Sequence, residues 1–360
     1  MKRLIIWAGA LFLLSILPLV ALGQTTWSAP KNLWPDSLKS IGMWDLLVAE
    51  NGNIFVATVA TQGIGVGPAY RSTDDGRTWV NLFKNGANGL ASDIGFGVFQ
   101  DPKTKAILLG TWNGVFRSAD NGETWRQSSA PFPYPKWKPV GRFATDKKTG
   151  IILAGTNDGI IASRDGGNVW FTAFHYDSAT ATKGFAVMDI CVAPNGTVYA
   201  ATTGGATGTH YGVLRSDGTV WEWKNNGLTN LSMYSVACDD AGTVYAGSED
   251  GLFRSTDNVE SWRKIGFEKN AIADILIVRP DLIFIANGPN GAPPGVFRYD
   301  GLSWSQIGPP PAGGDCLARI GNGILIGAFG VYLAADVITA VEGPPPSPPA
   351  NFRLEQNFPN

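Results

Sequence analysis

Four aspartates, Asp45, Asp189, Asp274 and Asp315, fall at one recurring place in the chain, near the start of a short strand-forming run. Gly97, Arg142 and Ser235 fill the same place in the other three copies. Carboxylates gathered this way support two chemistries. Like charges brought together raise one another's pKa values or draw in a cation, and two carboxyl groups with room for a water between them suffice for inverting glycoside hydrolysis. Asp45, Asp274 and Asp315 are therefore the candidate catalytic residues and also the candidate ligands of a cation, with calcium the fitting ion. A third reading needs no ligand, because carboxylates at strand starts also bond nearby backbone N–H groups as structural networks.

Aromatic residues with polar neighbours form a second group. Phe132, Tyr134 and Trp137 stand beside Lys136, then come Phe174, His175, Tyr176 and Asp177, then His210 and Tyr211 in a glycine-rich loop. Such rings can stack on sugar faces or anchor a protein partner, and they can equally pack their own loops. With Asp189 and Arg142, the residues Trp137, Tyr134, His175, Tyr176, His210 and Tyr211 make up the candidate ligand-binding set.

Composition removes other chemistries. The chain has 28 Lys and Arg against 30 Asp and Glu, which gives no basic footprint for nucleic acid. With two histidines and three cysteines, Cys191, Cys238 and Cys316, a His/Cys metal centre and a disulfide framework are both disfavoured, and the thiols read as small buried hydrophobes. The glycine-rich stretches Thr61–Pro68 and Gly204–Gly208 lack the helix and the Lys-Ser/Thr of a phosphate loop. No Ser/His/Asp or Cys/His constellation is present.

The elements that must position these residues come from a repeat. Arg71-Ser-Thr-Asp74-Asp-Gly-Arg-Thr-Trp79 returns as Arg117-Ser-Ala-Asp120-Asn-Gly-Glu-Thr-Trp125 and as Ala162-Ser-Arg-Asp165-Gly-Gly-Asn-Val-Trp170. A looser copy ends Asp257-Asn-Val-Glu-Ser-Trp262, and two short ones run Asp217 to Trp221 and Asp300 to Trp304. Self-similarity at roughly forty to fifty residues marks a repeat architecture. Within each copy the Asp accepts bonds from turn N–H groups, Gly supplies a positive φ, and Trp enters the next strand as a packing residue.

These boxes resemble the Asp-box, or BNR, repeat of sialidase-type β-propellers over most of residues 24–340. The resemblance implies that the boxes are structural and lie away from the active face. It also implies where a sialidase would show itself, in an arginine trio and an Arg-Ile-Pro motif. That motif is missing, and only Arg142 falls at the recurring place of the four aspartates, so sialidase chemistry is not expected. Asp-box xyloglucanases resemble the chain in repeat type but are built from two propellers.

Seven second strands align, from Asn53–Thr58 to Ile324–Ala328, against six boxes, and no stretch has sustained helical periodicity. The expected fold is therefore all-β, a single seven-bladed propeller of four-stranded antiparallel blades, with six blades as the alternative count. Ring closure favours joining the two termini in one blade. The segment Thr25–Leu33 is thus expected to supply the outer strand of blade seven.

Residues 1–23 carry Lys2, Arg3, an apolar run and a small-residue end, the pattern of a secretory signal peptide. Residues 341–350 are a proline-rich linker, and residues 351–360 resemble the opening of the type A sorting domain of the type IX secretion system. The expectation is a secreted or cell-surface monomer with no membrane span and either no cofactor or calcium alone. It would bind a glycan or a cell-surface protein without catalysis and meet the type IX machinery through its C-terminus, with a glycoside hydrolase as the alternative.

Overall fold

The computed structural model describes residues 30–38, 41–59, 67–92, 94–129, 139–175, 185–204, 211–288, 295–307 and 314–338. They form seven four-stranded antiparallel sheets, arranged as the seven blades of a β-propeller. The innermost strands are Gly42–Val48, Gly95–Gln100, Val140–Thr145, Phe185–Val192, Met233–Cys238, Ile272–Arg279 and Cys316–Ile320. Each packs against the innermost strand of the next blade, and the last packs against the first. Among the described residues the only helix is a single 3-10 turn, Asp36–Leu38.

Second strands such as Ile54–Val59, Ile107–Thr111 and Leu282–Asn287 are buried along nearly their whole length. They have a blade on either side, which is why they read as continuous β-branched runs rather than alternating ones. Near the end of each stands a residue with little or no side chain: Ala57, Gly110, Gly155, Ala201, Gly247, Ala286 or Gly327. A Cβ on Gly110 would lie 2.3 Å from the Val140 carbonyl of the next blade, so the small residue sets how closely blades approach. In blades two to five the next residue is a hydroxyl that bonds the following turn, as Thr111 does to the Gly114 carbonyl at 2.9 Å.

Blade seven is closed by the N-terminus. Lys31–Asn32 pairs with Val331–Ala334, so the outer strand falls inside the expected segment but is shorter than it. Residues 25–29, including Trp27, lie outside the described residues. The closure continues past the strand. Leu33 donates to the Val331 carbonyl at 2.7 Å, and Trp34 is buried edge-on against Tyr70 and Trp79 of blade one.

The box turns lie at the end of the ring opposite the starts of the innermost strands. In the first, the Ser72 hydroxyl donates to Asp74 and accepts from the Gly76 N–H, while both Asp74 oxygens hold Thr78. The same bonds recur around Asp120 and Asp257, and around Asp165 except that Val169 offers only its N–H where the others offer a hydroxyl as well. Asp217 and Asp300 keep only the bonds within their shortened turns. Trp125, Trp170 and Trp262 are buried between blades, whereas Trp79, Trp221 and Trp304 are partly so. The arginine that opens several boxes stitches its blade to the next turn, Arg117 to the Gly166 carbonyl and Arg215 to that of Asn258.

Candidate functional site at the channel mouth

Five innermost strands carry a bulge just before the aligned ring position, which places Asp45, Gly97, Asp189, Ser235 and Asp274 opposite the small residue of the second strand. In blade three the bulge lies between Val140 and Phe143 and takes in Arg142. Blade seven departs from the expectation: Cys316, not Asp315, pairs with Gly327. Asp315 stands one residue outside the ring and donates its N–H to the Gly327 carbonyl at 2.7 Å.

The ring carboxylates are stapled to the next blade. Asp45 accepts from the N–H groups of Leu46 and, across the blade boundary, Val98. Asp189 does so from Ile190 and Val236, and Asp274 from Ile275 and Leu317. Each carboxylate thereby spends one oxygen on its own strand and the other on its neighbour's. Ser235 plays the same part with opposite polarity, donating to the Ile272 carbonyl at 3.1 Å.

Arg142 joins blades that are not neighbours in the ring. Its Nη1 lies 3.2 Å from Asp274 of blade six and 3.4 Å from Asp45 of blade one, and its Nη2 is 3.4 Å from the Trp44 carbonyl. The acidic arc expected from Asp274, Asp315 and Asp45 is replaced by two carboxylates on a guanidinium, with Asp315 apart. Arg142 supplies a positive charge at the place where calcium was the candidate cation. Among the described residues no three His, Cys, Asp or Glu side chains are grouped to hold a metal ion.

Burial dominates the electrostatics. It pushes Asp45 up to about 6 against the opposing pull of Arg142, and Asp189 up to about 7 despite the same guanidinium. Asp315 is raised to about 6 by burial alone. Arg142 is held firmly charged, because Asp274, Asp45 and Asp189 outweigh its own desolvation.

The same end of the ring bears aromatic residues that sequence reasoning missed. Trp44 and Trp112 are 43% and 37% exposed. Phe96 lies between them, its ring 5.4 Å from Trp44 and 5.8 Å from Trp112. Trp44 and Phe96 are the bulged residues of blades one and two, and Trp112 follows the second strand of blade two. Phe329, in the corresponding turn of blade seven, is exposed as well. A large residue recurring immediately before the ring position was the available signal.

Of the expected aromatic set, Tyr134, Trp137, Tyr176 and His210 lie outside the described residues. His175 ends the outer strand of blade three with its Nε2 3.4 Å from Asp158. Tyr211 stacks on Trp223 at 5.4 Å and packs against the blade-four core. Neither is brought to Arg142 or the Trp44 cluster.

No protein-family profile matches the chain. A xyloglucanase from Paenibacillus sp. is 30% identical over 185 residues, a match covering 45% of this chain and 16% of that enzyme. Among solved structures, the extracellular domain of a hybrid two-component system from B. thetaiotaomicron superposes with a TM-score of 0.64 at 14% identity, over 86% of this chain and 40% of that one. YCF48 bound to D1 peptide gives 0.63 at 16% identity, over 90% of this chain and 99% of that one. PorZ, a surface component of the type-IX secretion system of Porphyromonas gingivalis, gives 0.59 at 16%, over 81% and 46%. The chain shares the fold of these proteins, a seven-bladed β-propeller found among extracellular and surface proteins.

Proposed function

We propose that the chain is a secreted or cell-surface propeller that binds a glycan or protein ligand on its channel-mouth face without catalysis. The observation that carries this reading is the exposed pair Trp44 and Trp112, with half-buried Phe96 between them, beside a charge network whose carboxylates are already engaged. A general acid or base must reach its substrate with a free oxygen. In Asp45 and Asp274 the oxygens serve backbone N–H groups and Arg142. Aromatic faces rimmed by polar groups suit stacking and anchoring instead. The peptide held by YCF48 and the surface setting of PorZ support the same reading. Export by the leader at residues 1–23 and by a sorting segment at residues 351–360 belongs to this proposal.

A second reading, glycoside hydrolysis, is favoured by the xyloglucanase similarity. Asp315, raised to about 6 and outside the stapled ring, is the acid it would use. The two readings separate when the purified chain is incubated with a polysaccharide panel and with surface protein extracts, scoring retention and product release together. Retention without products, weakened about tenfold or more in Trp112→Ala, is the expected result. Turnover that disappears in Asp315→Asn would establish the hydrolase instead.

A further inference from the structure

Cys191 and Cys238 stand near the far ends of the innermost strands of blades four and five, away from the Arg142 network. The two strands run in the same direction side by side, and the bond from the Val236 N–H to Asp189 fixes their register at an offset of 47 residues. Two residues further along each strand the same offset sets Cys191 beside Cys238. That register brings the two thiols together at the blade boundary, and both are only partly buried, whereas Cys316 is fully buried. Both border the apolar cluster of Tyr199, Val236, Val244 and Trp262 between the two blades. They are therefore a facing pair rather than the isolated small hydrophobes that their sequence surroundings suggest.

We propose that Cys191 and Cys238 form an oxidisable thiol pair, closed by a low-molecular-weight disulfide into an inter-blade cystine that staples blade four to blade five. One protein thiol, as thiolate, attacks the small disulfide, forming a mixed disulfide and expelling one small thiol. The second protein thiol loses its proton to solvent and attacks the protein sulfur of that mixed disulfide, expelling the second small thiol. Two protein S–H groups become one S–S bond, and the small disulfide is reduced to two thiols. The bond would lie two residues along from the Asp189 hydrogen bond that already joins the same two blades, adding a covalent staple to a polar one. Such a cross-link stabilises chiefly by constraining the unfolded chain, and it would persist in an oxidising compartment.

The test uses the full chain incubated with oxidised glutathione, then denatured for thiol titration and non-reducing peptide mapping. The titrated thiols are expected to fall from the three of the sequence to one, with a peptide linking Cys191 to Cys238. The melting temperature should rise by several degrees and return on adding dithiothreitol. Cys316→Ala, which keeps the pair, should show the same linked peptide. Retention of all thiols, or glutathione adducts with no linked peptide, would overturn the proposal.

Discussion

Arg142 of blade three donates to Asp274 of blade six at 3.2 Å, and so ties together blades on opposite sides of the channel. Asp45 of blade one pairs electrostatically with the same nitrogen at 3.4 Å. Removing the guanidinium would leave two largely buried carboxylates facing each other without compensation. Loss of one partner from a buried ion pair typically costs about 3–5 kcal/mol. Arg142→Met is therefore expected to lower the unfolding free energy by that amount in urea titration. Adding Asp45→Asn and Asp274→Asn should recover part of it, whereas additive losses would show that the ion pairs contribute little.

Stability should peak at mildly acidic pH. Asp45 and Asp189 titrate near 6 and 7 in the folded chain, above their unfolded values, because burial favours the neutral acid. Between the unfolded and folded pKa values the native state binds more protons. Their contribution is thus full below the unfolded pKa and is lost as pH rises through 6 to 7. The box aspartates work in the other direction. Asp74 and Asp257 are lowered to about 2 by their Thr78 and Ser261 bonds, so what they add is lost only as pH falls toward 2. Thermal melts across the range should show a higher Tm at pH 5 than at pH 8, and a Tm that climbs from pH 5 to pH 8 would contradict the ring electrostatics.

Closure of the ring rests on few residues. The strand Lys31–Asn32 contributes two pairings, but Trp34, 3% exposed, fills the space between Tyr70 and Trp79. The indole N–H of Trp79 donates to the Leu33 carbonyl at 2.8 Å, so the blade-one box turn grips the closing segment directly. Trp34→Ala should cost about 3–5 kcal/mol. It should also raise amide exchange in Val331–Ala334 ahead of the other blades. Uniform exchange around the ring would mean that the seam is no weaker than any other boundary.

Blade number, strand order and the location of closure were legible because buried second strands and box turns repeat with little variation. The ring position in blade seven was not, and the reason lies in its first hairpin. Blades six and seven both turn in two residues, Arg279 pairing with Leu282 and Ile320 with Gly323. Blade six has an extra bulge between Ile277 and Arg279 that blade seven lacks. Counting back equally from both turns therefore arrives at Asp315 instead of Cys316. Arg142 was placed at the ring, but its reach across the channel depends on the radius of a closed circle, which no local pattern encodes. Trp44 and Phe96 escaped notice because bulges re-aim side chains that simple alternation would assign to a face.

The blade-five box, Asp257 to Trp262, tests how much strain the turn tolerates. Val259 adopts φ 60 where Gly76, Gly122 and Gly167 adopt φ 80, 90 and 82, and a β-branched residue there costs roughly 1–2 kcal/mol. The compensation is burial, since Val259 is fully enclosed with Tyr199, Phe253 and Trp262. Val259→Ala would remove two methyl groups while keeping most of the backbone strain, for a loss of about 1.5 kcal/mol from transfer alone. Val259→Gly removes more apolar surface yet releases the strain, so it should be no more destabilising than Val259→Ala. The reverse change, Gly122→Val, should be worse than either, because even its Cβ would stand 3.2 Å from the Phe55 ring. Urea titration of the three variants orders them, and a Val259→Gly protein weaker than Val259→Ala by about 1 kcal/mol or more would mean that packing, not backbone conformation, decides this turn.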